Sequence, residues 1–491
     1  MIDEKSNMNK VIYLLMMFTI FLIPFNNLPY LNTVLKELSY NATSYPVLIL
    51  MVIMMIYIIK EMRIVKVKDK SIYILIAFII TCLILSFFNI SEILTNSFKG
   101  KSGIRRLVFQ FPMLAFGGVT SYCFYYFLRR TKITIWTIRR WIMISCLITG
   151  AYGLIELLNM LNIIDTSAIL KAVSNVIQLY SRGEVYPRGI RTVCGEASYF
   201  GMYAAFVLPW MLSYIYTEKE YWKKGAFIVF ALYFAALVFL SKSRMALLVF
   251  WLEFIIFAIG MFISRKNWRN KLITLLLFPL IFATSNVVNK IGYNEEMQYE
   301  NTANEASVNA VVQSLNDENN MSNVARFGMM KAAFKIGNEH FLTGVGVGQF
   351  AFYATDAVDE SAYRSSEITR WLDPEQPQYW PTVFALHARI YAENGIIGLL
   401  IWIALWAYIG INLLISYIKK NDMITLVIMS SIAGVLLACF NLDTYIYYPI
   451  WILIGLYWRF SSKNIEEENS GERDEEIFFN YGDIWKRKRS R

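Results

Sequence analysis

Apolar runs such as VIYLLMMFTIFLIPF, VLILMVIMMIYII and GAFIVFALYFAALVFL recur along most of the chain. Each approaches the ~20 residues with which an α-helix crosses ~30 Å of hydrocarbon. With 56% hydrophobic residues, 16% aromatic and a mean hydropathy of +0.42 over 491 residues, there is more apolar surface than one soluble core can bury. Barrel-type alternation is missing, so the backbone must satisfy its own hydrogen bonds inside helices. The length criterion places about twelve spans, near 11–29, 44–60, 71–90, 106–128, 141–161, 197–216, 225–241, 244–264, 272–290, 395–418, 423–441 and 447–460. The expected fold class is an all-α, polytopic membrane protein.

Orientation follows from Lys and Arg in the short connections. Lys60, Arg63, Lys66, Lys68 and Lys70 share one; Arg129, Arg130, Lys132, Arg139 and Arg140 lie two spans later. Lys219, Lys223 and Lys224, then Arg265, Lys266, Arg269 and Lys271, then Lys419 and Lys420 keep the alternation. These loops, and both termini with them, are expected on the cytoplasmic side of a cytoplasmic membrane. The +10 net charge is therefore chiefly a topology signal. No basic, soluble face suited to nucleic acid stands out. The first apolar run lacks a small-residue cleavage site, so it reads as a span and not a signal peptide. Cys82, Cys123, Cys146 and Cys439 fall within spans as small apolar packers, and only Cys194 is near the outer surface, so no disulfide framework or metal cluster is expected.

The orientation divides the chain into a bundle of about nine spans (1–290), a long extracytoplasmic loop (291–394), about three further spans (395–460) and a charged cytoplasmic tail (461–491). Within the loop, an acidic, Asn-rich stretch precedes NVARFGMMKAAFKIG, which reads as a helix with Asn323 as N-cap and Val324, Phe327, Ala332 and Phe334 on its apolar face. GVGVGQF follows as a tight turn. Gly344, Gly346 and Gly348 are no dinucleotide fingerprint, because no strand precedes them in a βαβ unit. A GxxxxGK[ST] phosphate loop is also missing from the sequence. No cofactor is expected.

Cations on the outer side oppose the usual charge bias, so each is either a snorkelling anchor or part of an anion site. Lys99, Lys101, Arg105 and Arg106 line one outer connection; Arg182, Arg188 and Arg191 another; Lys242 and Arg244 stand in SKSR between two spans; Arg326 and Arg389 belong to the long loop and its return. For Arg191 and Arg244 the anion-site reading is the stronger, since a planar donor fork that never loses its charge suits phosphate oxygens. Of the two histidines, His340 reads as a surface residue. His387, with Arg389 and Glu393 close by, can accept a proton from a sugar hydroxyl or serve as a structural hydrogen-bonding residue.

Four segments together resemble the O-antigen polymerase and O-antigen ligase superfamily of bacterial surface-polysaccharide enzymes. They are RTVCGEASYFGMYAAF, SKSRMALL, ARFGMMKAAFKIGNEHFLTGVGVGQF and LHARIYAENGIIGLL, in that order. The resemblance implies a glycosyltransferase that takes a glycan from an undecaprenyl diphosphate donor at the outer leaflet and needs neither nucleotide nor metal. It implies that Arg191, Arg244 and Arg326 stabilise the departing diphosphate, and that His387 deprotonates the acceptor hydroxyl for an inverting attack. Glu196, where ligase-like members often carry asparagine, becomes a rival base or a brace for Arg191. Arg188, Arg389, Glu393 and Trp380 are candidate substrate contacts, and Trp371 and Tyr379 candidate stacking platforms. The lipid-linked oligosaccharide and the bilayer are the implied partners, with a flippase and a chain-length regulator as further candidates. Glu196 favours a polymerase of lipid-linked repeats over a ligase to lipid A core or protein; a lipid-linked sugar transporter is the third reading. Glu253, inside VFWLEFIIFAIG, must face the interior and is expected to find a hydrogen bond there.

Overall fold

The structure is a computed structural model that describes residues 2–460 apart from 63, 132, 180–181, 188, 265–267 and 291–319. The charged tail, the acidic part of the long loop, Arg188 and the topology cations Arg63, Lys132, Arg265 and Lys266 thus lie outside the described residues.

In chain order the helices are α1 (Ile2–Phe21), α2 (Asn32–Leu35), α3 (Ser44–Glu61), α4 (Ser71–Phe88), α5 (Ile90–Thr95), α6 (Gly103–Thr131), α7 (Ile135–Met160), α8 (Ser167–Ile177), α9 (Ala197–Thr217), α10 (Tyr221–Leu240), α11 (Arg244–Ile263), α12 (Trp268–Lys290), α13 (Met321–Glu339), α14 (Phe350–Ala357), α15 (Ser366–Leu372), α16 (Leu386–Lys420), α17 (Met423–Ala438) and α18 (Tyr448–Phe460). Every expected span falls on one of these helices. Eight of the described helices are long and apolar enough to cross a membrane, and the chain is an all-α polytopic membrane protein. The first expected span is shorter than its apolar run, since α1 stops at Phe21, ahead of Pro24.

At the centre of the bundle α9 is buried almost throughout and is wrapped by α10, α11 and α17. Small residues set the close crossings: a side chain on Gly201 would run into Ala246 of α11, and one on Gly117 of α6 into the buried Trp451 of α18. Glu253 faces the interior beside Gly434, as its position in the span demands, but neither carboxyl oxygen makes a hydrogen bond. Space left by the missing Gly434 side chain, and not a polar partner, accommodates it.

A compact lid caps one end of the bundle. Its own core gathers Ala325, Met329, Ala332, Ala333 and Ile336 of α13 with Phe350, Ile368 and Ala388. The N-cap of α13 is Asn320, whose side chain accepts the Asn323 amide, three residues earlier than expected. The inward face differs in part, since Phe327 and Phe334 are exposed. The reason is proximity: α13 lies so close to α16 that Gly337 meets the Tyr391 ring, and only alanine and glycine fit there.

The lid is keyed into α16. Gly395 leaves the helical conformation (φ 58°, ψ −164°) and splits α16. The segment after α13 enters the break: Val345 and Gly346 amides donate to the Ala392 and Glu393 carbonyls (3.0 and 2.8 Å), and the Ile396 amide donates to Phe341 (2.8 Å). Gly344, also at positive φ, and Gly395 meet backbone to backbone, each where a side chain would overlap the other segment. Nearby, β1 (Ser97–Phe98) and β2 (Lys101–Ser102) form a minimal hairpin whose two turn residues, Lys99 and Gly100, both have positive φ, as a type I′ turn requires.

Gly395→Ala is expected to lower the melting temperature of the detergent-purified protein by a few degrees, since a left-handed L-residue alone costs ~1–2 kcal/mol. Gly410→Ala, in the same helix but with open space around it, is expected to leave the melting temperature unchanged or raise it.

Candidate functional site

Beneath the lid, five separate pieces of chain bring polar side chains to one cavity. Arg106 and Gln110 project from the first turns of α6, Arg389 and Glu393 from the first segment of α16, Asp443 from the connection between α17 and α18, Glu37 from a 3-10 turn after α2, and Trp380 and Thr382 from the lid. The i, i+4 spacing sets each helical pair on one face. The cavity measures about 170 Å³.

Its walls are cross-linked by hydrogen bonds. Arg389 donates through Nε to Glu393 (3.0 Å), through Nη1 to the Asp443 carbonyl (2.7 Å) and through Nη2 to Gln110 (2.8 Å). Tyr445 donates to the other Glu393 oxygen (3.1 Å), and Gln110 passes the chain on to Glu37 (2.9 Å). The Asp443 carboxylate accepts the Thr382 hydroxyl (2.6 Å) and the Val383 amide (2.8 Å), which ties lid to bundle. Arg389 is thereby a strut, its three faces spent on protein oxygens. Arg106 is less committed: Glu37 lies 3.5 Å from Nη1, and its buried Nε has no partner.

A second cavity of about 230 Å³ adjoins the first and shares Glu37 and Thr444 with it. Its lining is mostly aromatic and apolar, with Tyr40, Tyr199, Tyr203, Tyr447 and Tyr448 prominent. Glu196 is not one of its lining residues but stands near them in the chain. It is exposed, precedes α9 by one residue, and stands one turn before Tyr199; Ser198 is 3.5 Å from its carboxylate. The neighbouring Gly195 amide donates to Asn26, another lining residue (2.9 Å).

The remaining sequence candidates are distributed as follows. Arg244 and Arg326 come together at the seam between α11 and the lid, because Arg244 donates to Asn323 (3.1 Å), one turn before Arg326 on α13. Arg326 also lies over Phe384, which packs on Trp371. Arg191 is 2% exposed. Its fork donates to Gln178 (2.6 Å) and the Gly195 carbonyl (3.1 Å), and the carboxylate beside it is Glu156 of α7, which also accepts the Arg191 and Thr192 amides. His387 accepts from Trp402 Nε1 at Nδ1 (3.2 Å), which leaves the Nε2 proton to donate to the Leu436 carbonyl (3.1 Å). Tyr379 is exposed, with Arg370 above its ring.

Above the first cavity the cations gather on one ring. Lys101 Nζ lies 4.4 Å and the Arg106 guanidinium 4.8 Å from the Trp380 centroid, while Phe98 and Phe352 meet the same indole edge-on. Burial, followed by the neighbouring Arg106 charge, pushes the Lys101 ammonium below its ordinary pKa. Lys99 is buried, and it donates to the carbonyls of Arg370, Gln376 and Tyr379 (3.1, 3.0 and 2.7 Å), clamping the lid onto the hairpin.

Residues 228–403 match the family model described as O-Antigen ligase, which supports a polytopic membrane enzyme of the O-antigen ligase and polymerase type. Three of the four segments that carried the sequence resemblance lie within that match, and the resemblance is borne out there; RTVCGEASYFGMYAAF precedes it. No curated protein matches the chain. Glu37, Gln110, Glu156 and Asp443 were not singled out from sequence. Two left a trace: Glu156 is a lone carboxylate inside an apolar run, and Asp443 one in a short connection between apolar helices.

Lys99→Met is expected to speed limited proteolysis between residues 370 and 380 about tenfold, the scale of one charge-assisted hydrogen bond. Arg105→Met, which removes a guanidinium that lies over Phe109 and not on that segment, should leave the rate unchanged.

Proposed function

We propose that the chain polymerises undecaprenyl-diphosphate-linked oligosaccharide repeats at the outer leaflet of the cytoplasmic membrane, with the lid outside and both termini inside. The observation that carries this reading is the pair of adjoining cavities beneath the lid. One is charged and suited to sugar hydroxyls, the other aromatic and suited to the lipid-proximal part of a substrate, and the two share Glu37 and Thr444. The polymerase is preferred to the ligase for Glu196, at the position where ligase-like members often carry asparagine.

In the reaction, an acceptor hydroxyl oxygen attacks the anomeric carbon and the bond from that carbon to the diphosphate oxygen breaks. Undecaprenyl diphosphate leaves with the bonding electrons, and the hydroxyl proton passes to a base. In-line attack inverts the anomeric centre. Arg326 and Arg244, the latter bonded to Asn323 one turn before Arg326 on α13, supply the positive charge for the leaving diphosphate. Arg191 acts by shaping the 189–196 connection, which carries Glu196. Of the two candidate bases Glu196 is the better placed, because it is exposed, whereas both His387 ring nitrogens are engaged. His387 then positions the start of α16. No metal is required in this scheme.

Ligation of a finished glycan to lipid A core or protein is the second reading, favoured by the description of the matching family model. Incubation of the purified protein with a synthetic undecaprenyl-diphosphate repeat separates them. A ladder of products is expected; a single shift that needs a foreign acceptor would favour ligation, and no new glycosidic bond would refute both. Arg244→Ala is expected to cut transfer about 10²–10³-fold, as loss of a transition-state donor does, with membrane insertion intact.

A further inference from the structure

The polar cavity contains more positive charge than its hydrogen-bond network uses. Its three carboxylates are all engaged: Glu393 by Arg389 and Tyr445, Asp443 by Thr382 and Val383, and Glu37 by Gln110 and Arg106. Arg389 spends three of its five N–H groups on protein oxygens. Two other cations beside the cavity are less committed. The buried Arg106 Nε lacks a partner, and Lys101 Nζ makes no hydrogen bond to the described residues, held instead over Trp380. An aromatic platform holds both charges in place without consuming their N–H donors, since the ring attracts a cation through its π-face. Glu37, 3.5 Å from Arg106, offsets part of the repulsion between these two like charges, and a further anion between them would offset more.

The size of the space bears on which anion. At about 170 Å³ the cavity exceeds what a bare inorganic ion needs, and Glu37, Asp443, Thr382 and Thr444 place acceptors along its wall that suit sugar hydroxyls. Arg106 lines this wall and Lys101 flanks it on the Trp380 ring, so a sugar that offers hydroxyls to the oxygens can direct a negative substituent to the two cations.

We propose that this pocket selects an anionic sugar, one bearing a carboxylate or similar acidic substituent, within the repeat unit. The idea rests on the glycan-transfer reading above and names the substrate class of that site. Lys101 and Arg106 pair with the acidic substituent, Trp380 holds the two cations rather than stacking on sugar itself, and Lys99 keeps the lid segment that carries Trp380 in register. The lipid diphosphate is bound elsewhere, at the seam marked by Arg244 and Arg326.

Calorimetry on the full chain in detergent tests this without relying on turnover. The probes are a lipid-free disaccharide of glucuronic acid and glucose, its neutral glucose–glucose counterpart, and inorganic pyrophosphate. The acidic disaccharide is expected to bind at least about tenfold more tightly than the neutral one, and less tightly as salt rises. Lys101→Ala should remove about tenfold or more of that affinity, the worth of one charge-assisted hydrogen bond, and Lys101→Arg should restore most of it. Arg105→Ala deletes a charge of the same sign one residue before Arg106, where the guanidinium lies over Phe109; it should change binding less than twofold. Equal affinity for the two disaccharides would overturn the proposal, as would equal losses in the Lys101 and Arg105 variants, which would signify diffuse attraction. Pyrophosphate binding that displaces the disaccharide and disappears in Lys101→Ala would instead assign these cations to the lipid diphosphate. Failure of the transfer reaction is a separate result, read from the product gel, and leaves this binding comparison standing.

Discussion

The meeting of Gly344 with Gly395 is the contact on which the arrangement of this protein depends. Two backbones approach so closely that neither position tolerates a side chain, and both residues adopt positive φ to make the approach. The result is a helix broken where a lid segment can enter and capture the carbonyls of Ala392 and Glu393 that the break releases. Buried backbone groups left without partners are costly, so the break and the insertion stabilise each other. Because Glu393 is next to the break and Arg389 one turn before it, the same contact fixes the two charged residues that brace the polar cavity.

From that point the structure is a series of ties between lid and bundle. Arg389 reaches α6 through Gln110 and the α17–α18 connection through the Asp443 carbonyl. Asp443 holds the lid at Thr382 and Val383, and Lys99 holds it again at three carbonyls farther along. Bonds of this kind are strong because one partner is charged and bulk water is largely excluded. They leave a roofed compartment in a position where a lipid-linked glycan can be presented from the bilayer to groups that water would otherwise screen.

Much of this was open to inspection in the sequence, and the limits have physical causes. Spans are legible because hydrocarbon imposes a length on every helix that crosses it. The triple-glycine turn was legible because positive φ selects glycine. The lid helix was found, and Ala332 is buried and Val324 packed on the lid core as expected, but Phe327 and Phe334 are outside: large apolar residues normally mark the buried face, whereas here the closest approach to α16 falls at Gly337. Of the cavity, Arg389, Glu393 and Trp380 were visible because they cluster in one charged and aromatic stretch. Glu37, Gln110 and Asp443 were not, since their partners lie on elements 54 or more residues away in the chain, and a single polar residue near a helix end carries no sign of its distant partner. Arg191 shows the same limit, its carboxylate neighbour being Glu156 and not the nearby Glu196.

The central claim is that the joined cavities under the lid receive the lipid-linked glycan. Photo-crosslinking measures this most directly: an undecaprenyl-diphosphate glycan with a diazirine on the sugar nearest the diphosphate is irradiated with the full-length protein in membranes, and the labelled peptides are mapped by mass spectrometry. Labels are predicted on residues 97–110, 380–393 and 442–449, which surround the two cavities. Labels confined to the lipid-facing surface of α12, with none on those three segments, would contradict the account.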